Sequence, residues 1–441
     1  MSERKGMRYH KGLMDAPYQR IALPNGVRLL LVPMPGINSV ATSVMVGVGS
    51  RYEDRSINGI SHFLEHMVFK GTEKYPTTDE VNIIERQGGL QNAYTDIDVT
   101  NYHNKVLASE WELGLEINKE LAIRPLLEER YVEKERNVIL EEMKRYDDEP
   151  AAKVEELYHT MLYRGTKLGM RIIGEVESLR AIDANALRSY HARWYTPNRI
   201  VVVVAGAIGG QEQAIQDRVM QWFGSLPVSS DQSDGIEYVT DTQREPRFEV
   251  IVKPDAQQAH IELGVRIFPR GSEERFAWSV FNLLMGVSFT SRLFREIREK
   301  RGLCYHIRSS SDQWVDVGTW SIYAGVATER AKEAVQAIID ELRKVVQDGV
   351  TEEEVAIAKK RLKTMIAFQS EDPEFQNEYY GRQEVFNQEL LTLEEYLKKI
   401  ESVTKEDINR LTRRYIVTNT LNLALVWSGG DTKGMVEMLT I

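Results

Sequence analysis

Hydrophobic positions along the chain change their period several times, and each change marks an element. Residues 20–31 alternate on either side of Pro24-Asn25-Gly26, a turn signal between two strands. Residues 39–46 form another β-rich run. A helical pattern over 58–70 comes next, with Asn58 as its N-cap and Gly71 just past its end. Thr77 or Thr78 caps a further helix over 80–86, which Gly88-Gly89 stops. Residues 90–95 and 99–107 alternate as a strand pair around Asp96-Ile97-Asp98. A long helical stretch from residue 110 breaks at Pro125 and resumes over 128–146. The Ile-Val-Val-Val-Val run within 198–206 reads as a strand buried on both faces.

The polar stretch over 226–243 stands at mid-chain and has the composition of a linker. It divides the chain into an N-terminal domain, 1–228, a linker, 229–245, and a C-terminal domain, 246–441. The segment beyond the linker repeats the segment before it. Glu177, Ser178, Asp183, Asn185, Leu187, Asn198 and Gly206 recur as Glu401, Ser402, Asp407, Asn409, Leu411, Asn422 and Gly430, all at an offset of 224 (401 − 177). Seven matches at one offset point to duplication rather than to two unrelated helix–strand pairs.

Composition narrows the function classes. The chain has 441 residues, which favours two or three domains over one. A formal net charge of −10 argues against a nucleic-acid partner. Cys304 is the only cysteine, so no intramolecular disulfide forms and a reducing compartment is favoured. The first ten residues lack the apolar core of a signal peptide, and Glu3 and Asp15 do not suit a transit peptide. The longest apolar run, 200–208, is too short to span a bilayer. These features together read as a cytoplasmic protein with no membrane partner.

The chemistry concentrates in Gly59-Ile60-Ser61-His62-Phe63-Leu64-Glu65-His66-Met67. On a helix, His62 and His66 lie one turn apart on one face, where two imidazoles can close on one metal ion, and Glu65 leans toward it. The order is H-x-x-E-H, the reverse of the commoner H-E-x-x-H. The second half holds only His260 and His306, so at most one half carries a metal. A third ligand is needed. The stretch 128–146 offers Glu133, Glu135, Glu141 and Glu142, with Glu135 and Glu142 two turns apart on one face. Read alone, this is more readily a solvated acidic helix, which is what most glutamate-rich helices are.

Together these motifs resemble the inverted-motif zinc peptidases of the pitrilysin and mitochondrial-processing-peptidase family, M16. His62-Phe63-Leu64-Glu65-His66 is followed after 75 residues (142 − 66 − 1) by a glutamate, and Glu135-Arg136-Asn137-Val138-Ile139-Leu140-Glu141-Glu142 is similar to the second signature of that family. Phe69-Lys70-Gly71-Thr72, Asn92-Ala93-Tyr94-Thr95 and the run 291–305 are also of its type. The resemblance extends from about residue 20 to the end of the chain. It implies an α+β fold of two homologous domains, each an antiparallel sheet flanked by helices.

The resemblance further implies His62, His66 and Glu142 as ligands of one zinc ion per chain, Glu65 as general base, and Glu135 as a carboxylate supporting the site. Three protein ligands leave a fourth position open, the arrangement of catalytic rather than structural zinc. Arg298 and Tyr305 match the arginine–tyrosine pair that holds the substrate carbonyl and the developing oxyanion. Asn92, Ala93 and Tyr94 would lie on a sheet edge that takes a peptide as an added strand, and Phe69 would line a pocket just past the cut. Cys304 reads as a packed residue, since no histidine–acid pair accompanies it. Ala151 and Ala152 stand where processing peptidases carry acidic residues for basic presequences, although Asp147, Asp148, Glu149, Glu155 and Glu156 remain.

Peptide substrates, a zinc endopeptidase activity and a homodimeric clamshell are therefore expected, since one chain carries both the metal motif and the arginine–tyrosine pair. A heterodimer with a metal-less paralogue is the alternative assembly. A non-catalytic scaffold or peptide-binding module of the same fold is the alternative function, although such members typically lose ligands or base.

Overall fold

The computed structural model describes residues 18–228, 235–240 and 242–441. The N-terminal residues read for a leader, and linker positions 229–234 and 241, lie outside the described residues. Eleven strands are described: β1 (Gln19–Ala22), β2 (Arg28–Pro33), β3 (Ser39–Val46), β4 (Leu90–Thr95), β5 (Thr100–Leu107), β6 (Ile200–Gly206), β7 (Arg247–Val252), β8 (Ala259–Ile267), β9 (Cys304–Gln313), β10 (Gly318–Val326) and β11 (Asn422–Trp427). Six of the helices matter below: α1 (Ile60–Val68), α2 (Trp111–Ile123), α3 (Glu129–Asp148), α4 (Pro150–Leu162), α5 (Glu274–Gly286) and α6 (Pro373–Val385).

The first sheet has the order β1-β2-β6-β3-β5-β4 and the second β7-β11-β8-β10-β9. Without β1, the two orders superpose strand for strand, so the offset read in the sequence corresponds to one topology used twice. Each sheet departs from the expected antiparallel pattern at one pair: β2–β6 and β7–β11 run parallel. The last strand of each sheet returns after a long helical stretch and inserts beside β2 in the first sheet and β7 in the second, as its parallel neighbour. The fold is mixed α+β, two sheets with flanking helices.

In unit 1, β6 is buried along its whole length, as its unbroken aliphatic run demands. Val201, Val203 and Ala205 join Leu30, Val32, Met45, Tyr380 and Val385 in one core cluster beneath α6. On the other side α2 packs on β3 and β5, where Asn118 donates to the Thr42 carbonyl and Asn104 to the Gly114 carbonyl.

The compact units are not the contiguous halves on either side of the linker. Unit 1 comprises residues up to 141, 170–237 and 366–394, and unit 2 comprises 142–169, 238–365 and 395–441. Helix α4 packs on β11 and β8 of unit 2, and α6 packs on β6 and β3 of unit 1. These helices start 223 residues apart (373 − 150), each with a proline directly after an acidic residue. They are the same element of the repeat, and each serves the sheet of the other half. The division passes through α3, between Glu141 and Glu142.

Candidate metal centre

Helix α1 buries Ile60, Phe63, Leu64, Met67 and Val68, which fixes the rotation of the helix and turns His62, Glu65 and His66 toward partial exposure. Its N-cap is Gly59, not Asn58 as the sequence suggested. Gly59 has φ +94°, and a Cβ there would lie 2.7 Å from the Ile173 carbonyl oxygen. A glycine is therefore required both by the backbone and by the neighbouring chain. Asn58 instead donates to Glu53 Oε2 at 2.8 Å and to the Arg171 carbonyl at 2.9 Å.

Glu53 supplies the capping that no side chain within the helix provides. Its carboxyl accepts from Gly59 N at 2.7 Å and from Ser61 N at 2.8 Å, satisfying donors that a helix start leaves open. The group is fully buried, and burial pushes its pKa up to about 7 despite these bonds. Ser61 also shares a 2.7 Å hydrogen bond with Tyr190. Sequence reasoning missed Glu53, because an acid several residues before a helix carries no local capping signature.

The His62 and His66 rings stand 4.7 Å apart, centre to centre, on successive turns. Helix α3 buries Val132, Glu135, Ile139 and Met143 on one stripe, and Glu135 and Glu142 keep the same two-turn spacing. Arg136 on α3 donates to the Ile182 carbonyl at 3.1 Å, and its guanidinium lies 5.8 Å over the Phe63 ring. One ligand atom from each of His62, His66 and Glu142 lies within 4.8 Å of the others. Among the described residues this is the one such group of three.

Two imidazoles and a carboxylate at partly exposed positions fit a catalytic zinc ion with an open position. Glu135, almost fully buried, places Oε2 3.6 Å from His66 Nδ1, which leaves Nε2 of that ring for a metal. Lys70 Nζ lies 2.9 Å from the other oxygen of Glu135. Burial alone pushes the Glu135 carboxyl up, but His66 and Lys70 outweigh it and hold the group below its ordinary range. Glu65 Oε2 accepts from Thr95 Oγ1 at 2.6 Å, which orients the carboxylate next to His66.

The remaining sequence-selected residues are divided between the two units. Strand β4 pairs with β5 alone and forms the edge of the first sheet. Asn92 Oδ1 accepts from the Ala93 amide at 2.9 Å, so the edge satisfies one of its own donors. Tyr94 is largely buried, and its hydroxyl donates to Glu378 at 2.6 Å. Phe69 is the C-cap of α1 and half-buried. In unit 2, Tyr305 lies at the start of the edge strand β9 with 79% of its surface exposed, and the Arg298 guanidinium lies 5.0 Å over its ring. Cys304 is buried, and burial pushes its thiol up to about 11, an unreactive state.

Comparison with known proteins bears on this geometry. Residues 28–176 match the family model "Insulinase (Peptidase family M16)", and residues 181–362 match "Peptidase M16 inactive domain". The chain belongs to peptidase family M16. The first match contains His62, Glu65, His66, Glu135 and Glu142, and the second lies where the histidine count leaves no second motif. An uncharacterized zinc protease of Bacillus subtilis is 33% identical over 416 residues, covering 94% of this chain and 99% of its own. One from Mycobacterium tuberculosis is 32% identical over 427 residues, covering 96% and 95%. A protease of Helicobacter pylori has the same fold, with a TM-score of 0.88 at 23% identity over 93% of this chain and 99% of that one. A peptidase M16 inactive domain of Pseudomonas fluorescens gives 0.84 at 18%, over 94% and 99%. No helix among the described residues is long and apolar enough to cross a membrane.

Proposed function

We propose that this M16 protein is a zinc-dependent endopeptidase that hydrolyses unstructured peptides or presequence-like segments bound as an added strand. The observation that carries the reading is the convergence of His62, His66 and Glu142 within 4.8 Å, with Glu65 beside them. Zinc held there would polarise the scissile carbonyl and lower the pKa of water at the open position. Glu65, oriented by Thr95, takes the proton of the attacking water and passes it to the leaving amine. Glu135, backed by Lys70, keeps His66 in the tautomer that presents Nε2. A peptide strand adds at β4, where its backbone replaces the Asn92 side chain on the Ala93 amide. Arg298 holds a substrate carbonyl, and Tyr305 donates to the developing oxyanion.

The working form is a homodimer in the cytoplasm, two copies closing around the peptide. An active monomer in sedimentation would refute that assembly. The activity is tested by incubating a mixed pool of peptides with the protein and with Glu65→Gln, and reading products by mass spectrometry. Cleavage by the first and none by the second is expected. No cleavage by either, with zinc bound, would favour a scaffold or a peptide-binding module.

A further inference from the structure

A network of charged side chains in unit 1 ends at the strand that orients Glu65. Helix α6 lies over β6 and β3, so only its long side chains reach the edge strand β4. Glu378 and Arg382, one turn apart on α6, make that reach. Glu378 Oε1 accepts from the Tyr94 hydroxyl at 2.6 Å. Its Oε2 accepts at 3.3 Å from Nδ2 of Asn101, the residue paired with Tyr94 across β4 and β5. Arg382 Nη2 donates to Asp96 Oδ2 at 3.2 Å, and its Nη1 donates to Glu378 Oε1 at 3.4 Å. Burial pushes the Tyr94 hydroxyl up and the Glu378 charge adds to this, so the group stays a donor.

Thr95 stands between the two residues that α6 holds. Successive side chains of a strand point to opposite faces, so Tyr94 turns to α6 while Thr95 turns to α1 and donates to Glu65 at 2.6 Å. Strand β4 has a hydrogen-bonded neighbour on one side only, and α6 supplies the hold that a second strand would give.

The other half of the duplication lacks this arrangement where it lacks the base. The hairpins β4–β5 and β9–β10 close on the pairs Thr95–Thr100 and Gln313–Gly318, with four residues inside each turn. That offset of 218 (313 − 95) sets Trp314 at the place of Asp96. The helix offset of 223 sets Glu155 and His159 at the places of Glu378 and Arg382. His159 packs edge-on against Trp314 at 5.3 Å, with its Nε2 2.7 Å from the Leu168 carbonyl. Aromatic packing therefore suffices to hold this corner of the fold. The arginine–aspartate pair occurs only in the half with a base to position.

We propose that Glu378 and Arg382 are positioning residues for the hydrolytic step: they clamp Tyr94 and Asp96, and thereby fix the Thr95 hydroxyl on Glu65. The proposal rests on the reading of Glu65 as the base. It makes a helix from the C-terminal half of the sequence part of what aims the base in the N-terminal half, although neither residue touches substrate or metal.

The test uses the full-length protein with zinc and one peptide from the cleaved pool. Arg382→Met should lower kcat about tenfold, as loss of alignment at a reacting group does. Glu378→Gln keeps an oxygen for Tyr94 but removes the charge that holds Arg382, so it is the milder variant and carries the same test. Lys105→Met is the control. Lys105 ties the start of α6 to β5 through Asp372 at 2.8 Å, opposite Leu90 at the far end of β4, and its loss should leave kcat unchanged. In a Thr95→Val background, Arg382→Met should cost less than about twofold further, because the clamp acts through the hydroxyl already removed. Independently of turnover, the Thr95 methyl signal in threonine-labelled protein should shift or broaden in Arg382→Met and Glu378→Gln and hold its place in Lys105→Met.

A Thr95 methyl unmoved by both clamp variants would overturn the proposal. So would a full tenfold loss on top of Thr95→Val, or an equal loss in Lys105→Met. A methyl that moves as expected in a wild type that cleaves nothing would leave the clamp on Thr95 standing and refute the peptidase reading.

Discussion

Replacing Glu53 by glutamine perturbs the start of α1 without touching a ligand. Glu53 Oε2 accepts from Asn58 Nδ2 and Gly59 N, and Oε1 accepts from Ser61 N. In Glu53→Gln the new amide keeps its oxygen at the doubly used position and turns its NH2 toward Ser61 N. That leaves one buried donor without an acceptor, at a cost of roughly 1–3 kcal/mol. Against this stands the burial of a titratable carboxyl, raised from 4.5 to about 7 in the fold. A raised carboxyl pKa contributes stability that is fully present below pH 4.5 and is lost as pH rises through 7. The full swing is on the order of 3 kcal/mol at 1.36 kcal/mol per pH unit, about 2 kcal/mol of it between pH 5.5 and 8.5. Glutamine has no such term. The variant should therefore be less stable than wild type at pH 5.5 by roughly 1–3 kcal/mol, and the gap should close or reverse at pH 8.5. Denaturant melts of zinc-free protein at the two pH values measure this, because the two proteins differ at residue 53 alone. Parallel pH profiles would refute the reasoning.

Three further outcomes concern the centre and its helix. Adding zinc to the metal-free protein should raise its melting temperature, by about 2.7 kcal/mol of stabilisation at a hundredfold excess over Kd, and Glu142→Ala should abolish that increment. Lys70→Met leaves the buried Glu135 carboxylate with His66 alone and should weaken zinc at least tenfold in competition with a chromophoric chelator, whereas unchanged affinity would show that Lys70 plays no part. Gly59→Ala should cost about 3 kcal/mol or more by combining a left-handed backbone with a 2.7 Å approach to Ile173, whereas Gly36→Ala, at φ +88° in open space, should cost only about 1 kcal/mol, and equal losses would refute the contact.

Much of this arrangement is legible in the chain because it is local. The β6 run is aliphatic from Ile200 to Ala205, so burial on both faces follows from composition alone. The break at Pro125 falls between α2 and α3, and Thr77, one of the two caps offered, is the N-cap observed, with Glu80 closing a capping box. The ligand trio depends on two helical periods, which spacing gives directly. What spacing does not give is which sheet a helix joins. Helix α4 has the same apolar stripe whether it packs on unit 1 or unit 2, so a division at the linker misses its exchange with α6. Glu53 and Lys70 were missed for a related reason: each acts through the folded chain, one on a helix it does not belong to, the other through the buried Glu135.

The duplication also bears on why one chain should hold one metal. The helix Glu352–Gln369 begins 223 residues after α3 (352 − 129), and the same offset sets Ala358 and Met365 at the places of Glu135 and Glu142. Helix α5 comes after β8 as α1 comes after β3, and it buries Phe276, Trp278 and Phe281 where α1 turns histidines outward. The Trp278 ring lies tilted against Phe281 at 5.0 Å and meets Trp320 edge-on, so the position has become a packed aromatic core. Restoring a metal there would need two imidazoles, a base and two carboxylates at once, within a core that cannot receive them. Zinc titration should accordingly saturate at one ion per chain, with all binding lost in a His62→Ala, His66→Ala double variant. Residual tight binding in that variant would mean that the C-terminal half of the chain has kept a metal function that its side chains do not offer.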